Sequence, residues 1–183
     1  MSFFSRLVPP SRKGENNFKR ARAAELRRDF DKAQAYFSAA AGAFDDHFAR
    51  LKDKGKAPRA SHLAMAGICY TKLGRNEDAI TILEQCLAIK DVPDAYLHAG
   101  YAAAKLGDAD RAVDYWDRYP QWAEQRIVAK ALKEQVQALR EEKISLQAAC
   151  EAVAHAVHQQ DKHNAGVRLM RRGKKEYPPH RGY

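Results

Sequence analysis

The chain has 183 residues, of which 45% are hydrophobic, and this is enough for one packed helical domain with tails. No stretch approaches the roughly 20 apolar residues of a membrane span, and the amino terminus lacks the continuous apolar run of a secretory signal. Three cysteines without CxxC or CxxH spacing argue against a disulfide scaffold and fit buried thiols in a reducing compartment. We therefore expect a cytoplasmic protein without a membrane span.

The net charge of +9 is concentrated at the two ends of the chain. Residues 1–30 hold eight Lys or Arg against three acids, residues 162–183 hold seven against one, and the segment between them is close to neutral. Basic ends can bind phosphates or an acidic partner, and they can equally be solvated tails. No RNA-binding aromatic motif or DNA-reading signature accompanies them. The cations of the carboxyl-terminal tail are Arg168, Arg171, Arg172, Lys174 and Lys175.

The first predicted element pair is a helical hairpin whose turn lies at residues 28–33. Ala21 and Ala24 supply small residues where its helices approach each other, and Phe37 supplies a large residue on the second helix. The distance to the corresponding turn of the next hairpin is 13 residues longer than the later repeat period. We therefore predict a longer second helix here, followed by a polar loop around residues 54–58.

Residues 60–118 contain the same hairpin twice, at an offset of 33 residues. Gly67 aligns with Gly100, and Leu83 aligns with Trp116. In each copy a Gly ends the first helix and an acidic turn opens the second. This offset predicts two stacked antiparallel helix pairs of the same construction.

The motif in these copies resembles the tetratricopeptide repeat (TPR), which has a period of about 34 residues. The first copy reads L-x-x-A-G-x-x-Y from Leu63 and then A-x-x-x-L from Ala79, and the second reads Y-x-x-A-G-x-x-A from Tyr96 and then A-x-x-x-W from Ala112. The turn at residues 28–33 resembles the family's G-D-Y-E-K-A with Arg28 in place of Gly. The resemblance implies an all-α, right-handed solenoid of antiparallel hairpins.

In this family the first helices of successive hairpins line a concave groove that binds a peptide or helix of a partner protein. The resemblance places ten residues of this chain in the groove: Ser61, Ala64, Ile68, Thr71, Lys72, Asp94, Leu97, Tyr101, Ala104 and Lys105. They form an apolar strip bordered by two lysines. The Asn of the family's carboxylate clamp is missing, which favours a hydrophobic or helical ligand.

Beyond Trp116 the repeat loses its register, because Tyr119-Pro120 ends the second helix early. Apolar stripes predict two closing helices over residues 121–158, with a charged turn near residues 140–143 and Ser145 as the cap of the second helix. These helices cap the solenoid, since stacked repeats leave an apolar end that must be covered. Two alternatives stay open: the helices fold back over the groove strip, or they join copies of the chain.

No coherent active site is present in the sequence. It contains no Gly-rich phosphate loop, G-x-S-x-G elbow or H-E-x-x-H motif. His155, His158 and His163 are close in sequence, but no acid or cysteine completes a metal-ligand set. We therefore expect no catalytic residues, no metal and no cofactor.

These observations predict three regions: an N-terminal tail (1–14), a TPR-like helical domain (15–158) with clear repeats at 60–118, and a basic C-terminal helix end and tail (159–183). Our hypothesis is a non-catalytic adaptor or scaffold that binds a partner peptide or helix in the groove. A second hypothesis is a nucleic-acid or ribonucleoprotein accessory factor that uses the basic ends. A third is a scaffold that self-assembles into homo-oligomers.

Overall fold

The computed structural model describes residues 8–120, 122–123 and 125–173, with side chains in the last helix as far as Val167. This part of the chain consists of helices and connecting turns, as the predicted all-α class requires. The eight helices within it are α1 (Pro10–Leu26), α2 (Phe30–Asp53), α3 (Ala60–Lys72), α4 (Asn76–Ile89), α5 (Pro93–Lys105), α6 (Ala109–Asp117), α7 (Arg126–Arg140) and α8 (Leu146–Gly173).

The helices pair into four antiparallel hairpins that stack in chain order. Each helix contacts the next one along the chain, and the first helices α1, α3 and α5 also contact one another in sequence. The arrangement is therefore an all-α solenoid, with α1, α3 and α5 side by side on one face. We call this face the concave groove.

The two clear repeats have the same close contact between their helices. A Cβ atom added to Gly67 would overlap the side chain of Leu83, and one added to Gly100 would overlap the ring of Trp116. The Trp116 indole N–H also donates a hydrogen bond to the Leu97 carbonyl at 3.2 Å. Gly67 and Gly100 thus occupy equivalent helix crossings, as the offset of 33 residues predicts.

The first hairpin follows the same plan with different side chains. Ala21 occupies the position equivalent to Gly67, and both Ala21 and Phe37 are buried. The α1 helix begins at Pro10, before the predicted start near residue 15, because Pro suits the first helical position and Gly14 packs beneath the Phe44 ring. The α2 helix is the predicted long one and extends to Asp53.

The fourth hairpin departs from the repeat at its start. The α7 helix begins at Arg126 rather than at the predicted position near residue 121. Ser145 caps α8 by accepting a hydrogen bond from the Ala148 N–H at 3.2 Å, as predicted. Ala149 and Val153 then occupy the buried positions that Ala112 and Trp116 fill in the third hairpin.

Some predictions fall on residues outside the described ranges. Residues 1–7 of the predicted amino-terminal tail lie outside the described residues, and so do Lys174 and Lys175 of the basic tail. Arg168, Arg171 and Arg172 belong to α8 by their backbone, but their side chains are not among those described. Within the described ranges, no helix combines the length and apolar character needed to cross a membrane.

Candidate functional site

The ten predicted groove residues fall on α3 and α5, and they differ widely in exposure. Ser61, Lys72 and Lys105 are exposed, while Asp94 and Tyr101 are half-buried. The remaining five are buried: Ala64, Ile68, Thr71, Leu97 and Ala104. The structure therefore places most of the predicted apolar strip in the core, with Tyr101 as its accessible aromatic member.

The groove is narrowed by the last helix. The α8 helix contacts both α5 and α1, so it lies across the face that the first helices form. Val153, Ala154 and Val157 of α8 line a cavity together with Leu97 and Tyr101 of α5. One predicted alternative is that the C-terminal helices fold back over the strip. The structure shows this for part of the groove, and a cavity remains beside α8.

This cavity is the larger of the two along α8, with a volume of about 380 Å³, and we call it the main crevice. Its walls are mostly apolar, since they include Leu97, Tyr101, Val153 and Val157. A second crevice of about 230 Å³ lies between α8 and α1. Lys72, Ala154 and Val157 line both crevices, so the two spaces meet along the same stretch of α8.

The rim of the main crevice carries positive charge. The Lys105 ammonium lies 5.4 Å from the centre of the Tyr101 ring and has no ion pair among the described residues. The Lys72 ammonium bonds to Glu25 of α1 at 2.7 Å, so one carboxylate already compensates its charge. Lys105 is therefore the more available partner for an anionic group entering the crevice.

Two residues that line the main crevice each have a buried polar atom with no hydrogen-bond partner within the described structure. These atoms are Asn76 Oδ1 and His98 Nδ1. Burial and the positive charges of Lys72 and Arg22 lower the pKa of His98 well below 6.5, so its ring is neutral at physiological pH. A buried polar atom without a hydrogen bond costs about 1–3 kcal/mol.

A network of polar contacts ties the groove together at the α1 end. The Arg22 guanidinium donates to both carboxylate oxygens of Asp161 on α8, at 3.1 and 2.8 Å, and also to Glu25 at 2.7 Å. Asp94, a predicted groove residue, accepts a hydrogen bond from the Gln125 side chain at 3.2 Å. These bonds fix α8 and the start of α7 against the first helices.

Four residues of this site were not predicted from the sequence. His98 directly follows Leu97, and Asn76 opens α4, but neither position belongs to the family's groove pattern. Arg22 occupies the same repeat position as Ile68 and Tyr101, so carrying the groove pattern into the weak first copy would have found it. Asp161 gave no signal, because its role depends on where α8 lies.

The three cysteines lie in the packed interior of the described part of the chain. Cys69, Cys86 and Cys150 are free and buried, and burial raises the pKa of Cys69 to about 12. The Cys86 thiol donates to the Ala60 carbonyl at 3.2 Å. No group of three or more His, Cys, Asp or Glu side chains could hold a metal ion within the described residues. These thiols are therefore packing residues.

The two clear repeats match models of a known protein family. A family model described as tetratricopeptide repeat matches residues 63–92, and a second with the same description matches residues 94–121. Neither the curated proteins nor the solved structures gave a match. The matched segments cover α4 and α6 completely and α3 and α5 except for their first residues. They include the Gly67 and Gly100 crossings and both lysines of the main crevice.

Proposed function

We propose, since this chain belongs to the tetratricopeptide repeat family, that it is a non-catalytic adaptor that binds a segment of a partner protein at the main crevice of its concave groove. Repeats of this kind generally mediate protein–protein interactions. The observation that carries the proposal is the crevice itself. It is a mostly apolar space of about 380 Å³ with a cationic rim.

The chemistry of the crevice favours a segment that combines aliphatic side chains with an acidic group. Aliphatic side chains would bury apolar surface against Leu97, Tyr101 and Val157, at about 25 cal/mol per Å². A carboxylate would lie near Lys105, which has no ion pair among the described residues. A rotation of the His98 or Asn76 side chain toward the segment would add hydrogen bonds that orient it. The neutral imidazole has one donor and one acceptor nitrogen, and the Asn76 amide oxygen accepts.

A random-peptide display library panned against the full chain tests this proposal. We expect the selected peptides to be enriched in an acidic residue next to aliphatic ones. A selected peptide should bind the Lys105→Glu chain about tenfold more weakly, the effect of losing about 1.4 kcal/mol of attraction. Tyr101→Asp should weaken it at least as much, because Tyr101 is an accessible wall of the crevice.

Two controls make the result specific. Lys130→Glu removes an exposed lysine of α7 outside the crevice and should leave binding unchanged. Binding should also survive moderate salt, whereas attraction to phosphates through basic ends falls steeply with ionic strength. Equal affinity of the selected peptides for the natural chain and for the Lys105→Glu and Tyr101→Asp chains would contradict the proposal.

A further inference from the structure

The α8 helix occupies the groove in the way that a bound partner helix would. Arg22, Ile68 and Tyr101 are at the same repeat position on α1, α3 and α5, and they mark the middle of the concave groove. Val153 of α8 lies at the crevice that Tyr101 lines, and Asp161 of α8 bonds to Arg22. The helix therefore crosses the middle of the groove from the third hairpin to the first.

Three of the α8 residues at the groove form one stripe of its surface. Val153, Val157 and Asp161 are four residues apart, so they lie along the same side of the helix. Two of them are aliphatic and line the main crevice, and the third is a carboxylate with two bonds to a guanidinium. This stripe indicates the kind of helix surface that fits the groove. Such a surface has two aliphatic residues four positions apart and an acidic residue four positions further on.

The space between α8 and the groove is nevertheless incompletely filled. Cavities of about 380 and 230 Å³ flank it, one toward α5 and the other toward α1. His98 Nδ1 on the groove side and His158 Nε2 on α8 itself are buried without a partner in the described structure. The first turns of α8 are buried, but these open crevices and unpartnered nitrogens show that α8 fills the groove incompletely.

We propose that α8 is an exchangeable occupant of the groove and that the partner is a helix with the same stripe, carrying two aliphatic residues and an acid at intervals of four. This inference rests on the proposed function and names its ligand. The Arg22–Asp161 ion pair retains α8 in the closed state. Arg22 then receives the acid of the partner helix when α8 leaves.

The test uses the full chain and a fluorescein-labelled peptide of residues 145–167 under reducing conditions. In the natural chain the tethered α8 competes with this probe, since a tether gives a high effective concentration. Asp161→Ala weakens the tethered helix but leaves Arg22 available to the probe. The Asp161→Ala chain should bind the probe roughly fivefold to tenfold more tightly than the natural chain, the range for a partly buried Arg–carboxylate pair.

Three matched arms separate exchange from general loosening. Glu151→Ala removes an exposed acid of the same helix and should bind the probe like the natural chain. Arg22→Ala frees α8 but removes the guanidinium that binds the acid of the probe, so it should give no gain in binding. A probe that itself carries Asp161→Ala should bind the Asp161→Ala chain no more tightly than it binds the natural chain. Hydrogen exchange over residues 154–167 should be faster in both the Asp161→Ala and Arg22→Ala chains.

Several results would overturn the inference. They are equal probe affinity of the natural and Asp161→Ala chains, unchanged exchange in residues 154–167, a gain for Arg22→Ala as large as that for Asp161→Ala, or dimerisation of the Asp161→Ala chain. The proposed function would stand by itself if display-selected peptides still required Tyr101 and Lys105. If the selected peptides did not require Tyr101 and Lys105 but the Asp161→Ala chain still bound the probe more tightly, the main crevice would be ruled out as the binding site. The exchange of α8 would then still hold.

Discussion

At the level of single residues, the turn inside each hairpin needs a left-handed backbone conformation. Gly74 and Gly107 have φ of 75° and 82° there, but Arg28 and Glu142 have φ of 61° and 54° at the same point of the first and fourth hairpins. The bonding is the same in all four turns: the N–H of the left-handed residue and the next N–H bond back to carbonyls of the last helical turn. Two turns therefore hold side chains where glycine is preferred.

Arg28→Gly and Glu142→Gly should each raise the free energy of unfolding by about 1 kcal/mol, because a side chain in this conformation costs about 1–2 kcal/mol. Gly74→Ala should lower it by a similar amount. Urea unfolding followed by circular dichroism measures all three. A loss of stability in Arg28→Gly would show that the arginine side chain outweighs the backbone strain.

His98 makes the stability of the chain depend on pH. Its pKa in the folded chain is well below 6.5, because burial and the nearby Lys72 and Arg22 disfavour the charged ring. The unfolded chain binds a proton at this histidine near pH 6.5 and the folded chain does not. The contribution of the neutral His98 to the free energy of unfolding is therefore fully present above pH 6.5. As the pH falls below 6.5, the free energy of unfolding decreases by up to about 1.4 kcal/mol per pH unit.

Urea unfolding between pH 7 and pH 5 tests this linkage. His98→Asn should flatten the fall in unfolding free energy over that interval, because the residue can no longer take up a proton. The exposed His163→Asn is the control and should keep the natural slope. Identical slopes for the natural and His98→Asn chains would mean that His98 is charged equally in both states.

At the level of helices, the close crossings of the clear repeats depend on glycine. A Cβ at Gly67 meets the buried Leu83 side chain, and a Cβ at Gly100 meets the rigid Trp116 ring. Gly42 is also inside a helix, but nothing lies within 4 Å of its added Cβ. The three positions thus separate the steric cost at a crossing from the ordinary gain in helix propensity.

Gly67→Ala and Gly100→Ala should destabilise the chain by about 1–3 kcal/mol, with the larger loss at Gly100 because an indole ring has little room to turn. Gly42→Ala should stabilise it by about 0.5–1 kcal/mol, because alanine favours the helix. Thermal and urea unfolding of the three variants would measure both effects. A stabilised Gly100→Ala chain would contradict the crossing described here.

The sequence predicts the helices better than it predicts their placement. The period of 33 residues, the Gly positions and the Ala-x-x-x-large pattern are local signals, so they locate the hairpins and the extended α2. The stripe of Val153 and Val157 shows that α8 has an apolar side, but periodicity does not reveal which surface that side covers. Whether α8 caps the end or crosses the groove depends on distant contacts such as the Arg22–Asp161 pair.

The junction of the first two hairpins shows the same limit. The longer spacing predicts the extension of α2 beyond the usual length. It does not predict that His47 Nε2 lies 3.1 Å from His62 Nδ1, or that His62 Nε2 lies 2.9 Å from Glu15 Oε1. These side chains come from α2, α3 and α1, so the chain of hydrogen bonds exists only once three helices have packed.

At the scale of the whole molecule, the solenoid is closed by its own last helix. Three hairpins present α1, α3 and α5 on one face, and α8 returns across that face to reach Arg22. The groove is therefore partly filled by α8, with a crevice on each side of this helix. Binding by this chain is therefore expected on the concave side, along α8.

Amide chemical shifts of the ¹⁵N-labelled full chain, recorded while a display-selected peptide is added, test that expectation most directly. The largest changes should fall on residues 68–72, 97–105 and 153–161, which surround the main crevice. Changes confined to α2, α4 and α6, with the groove amides unmoved, would contradict it.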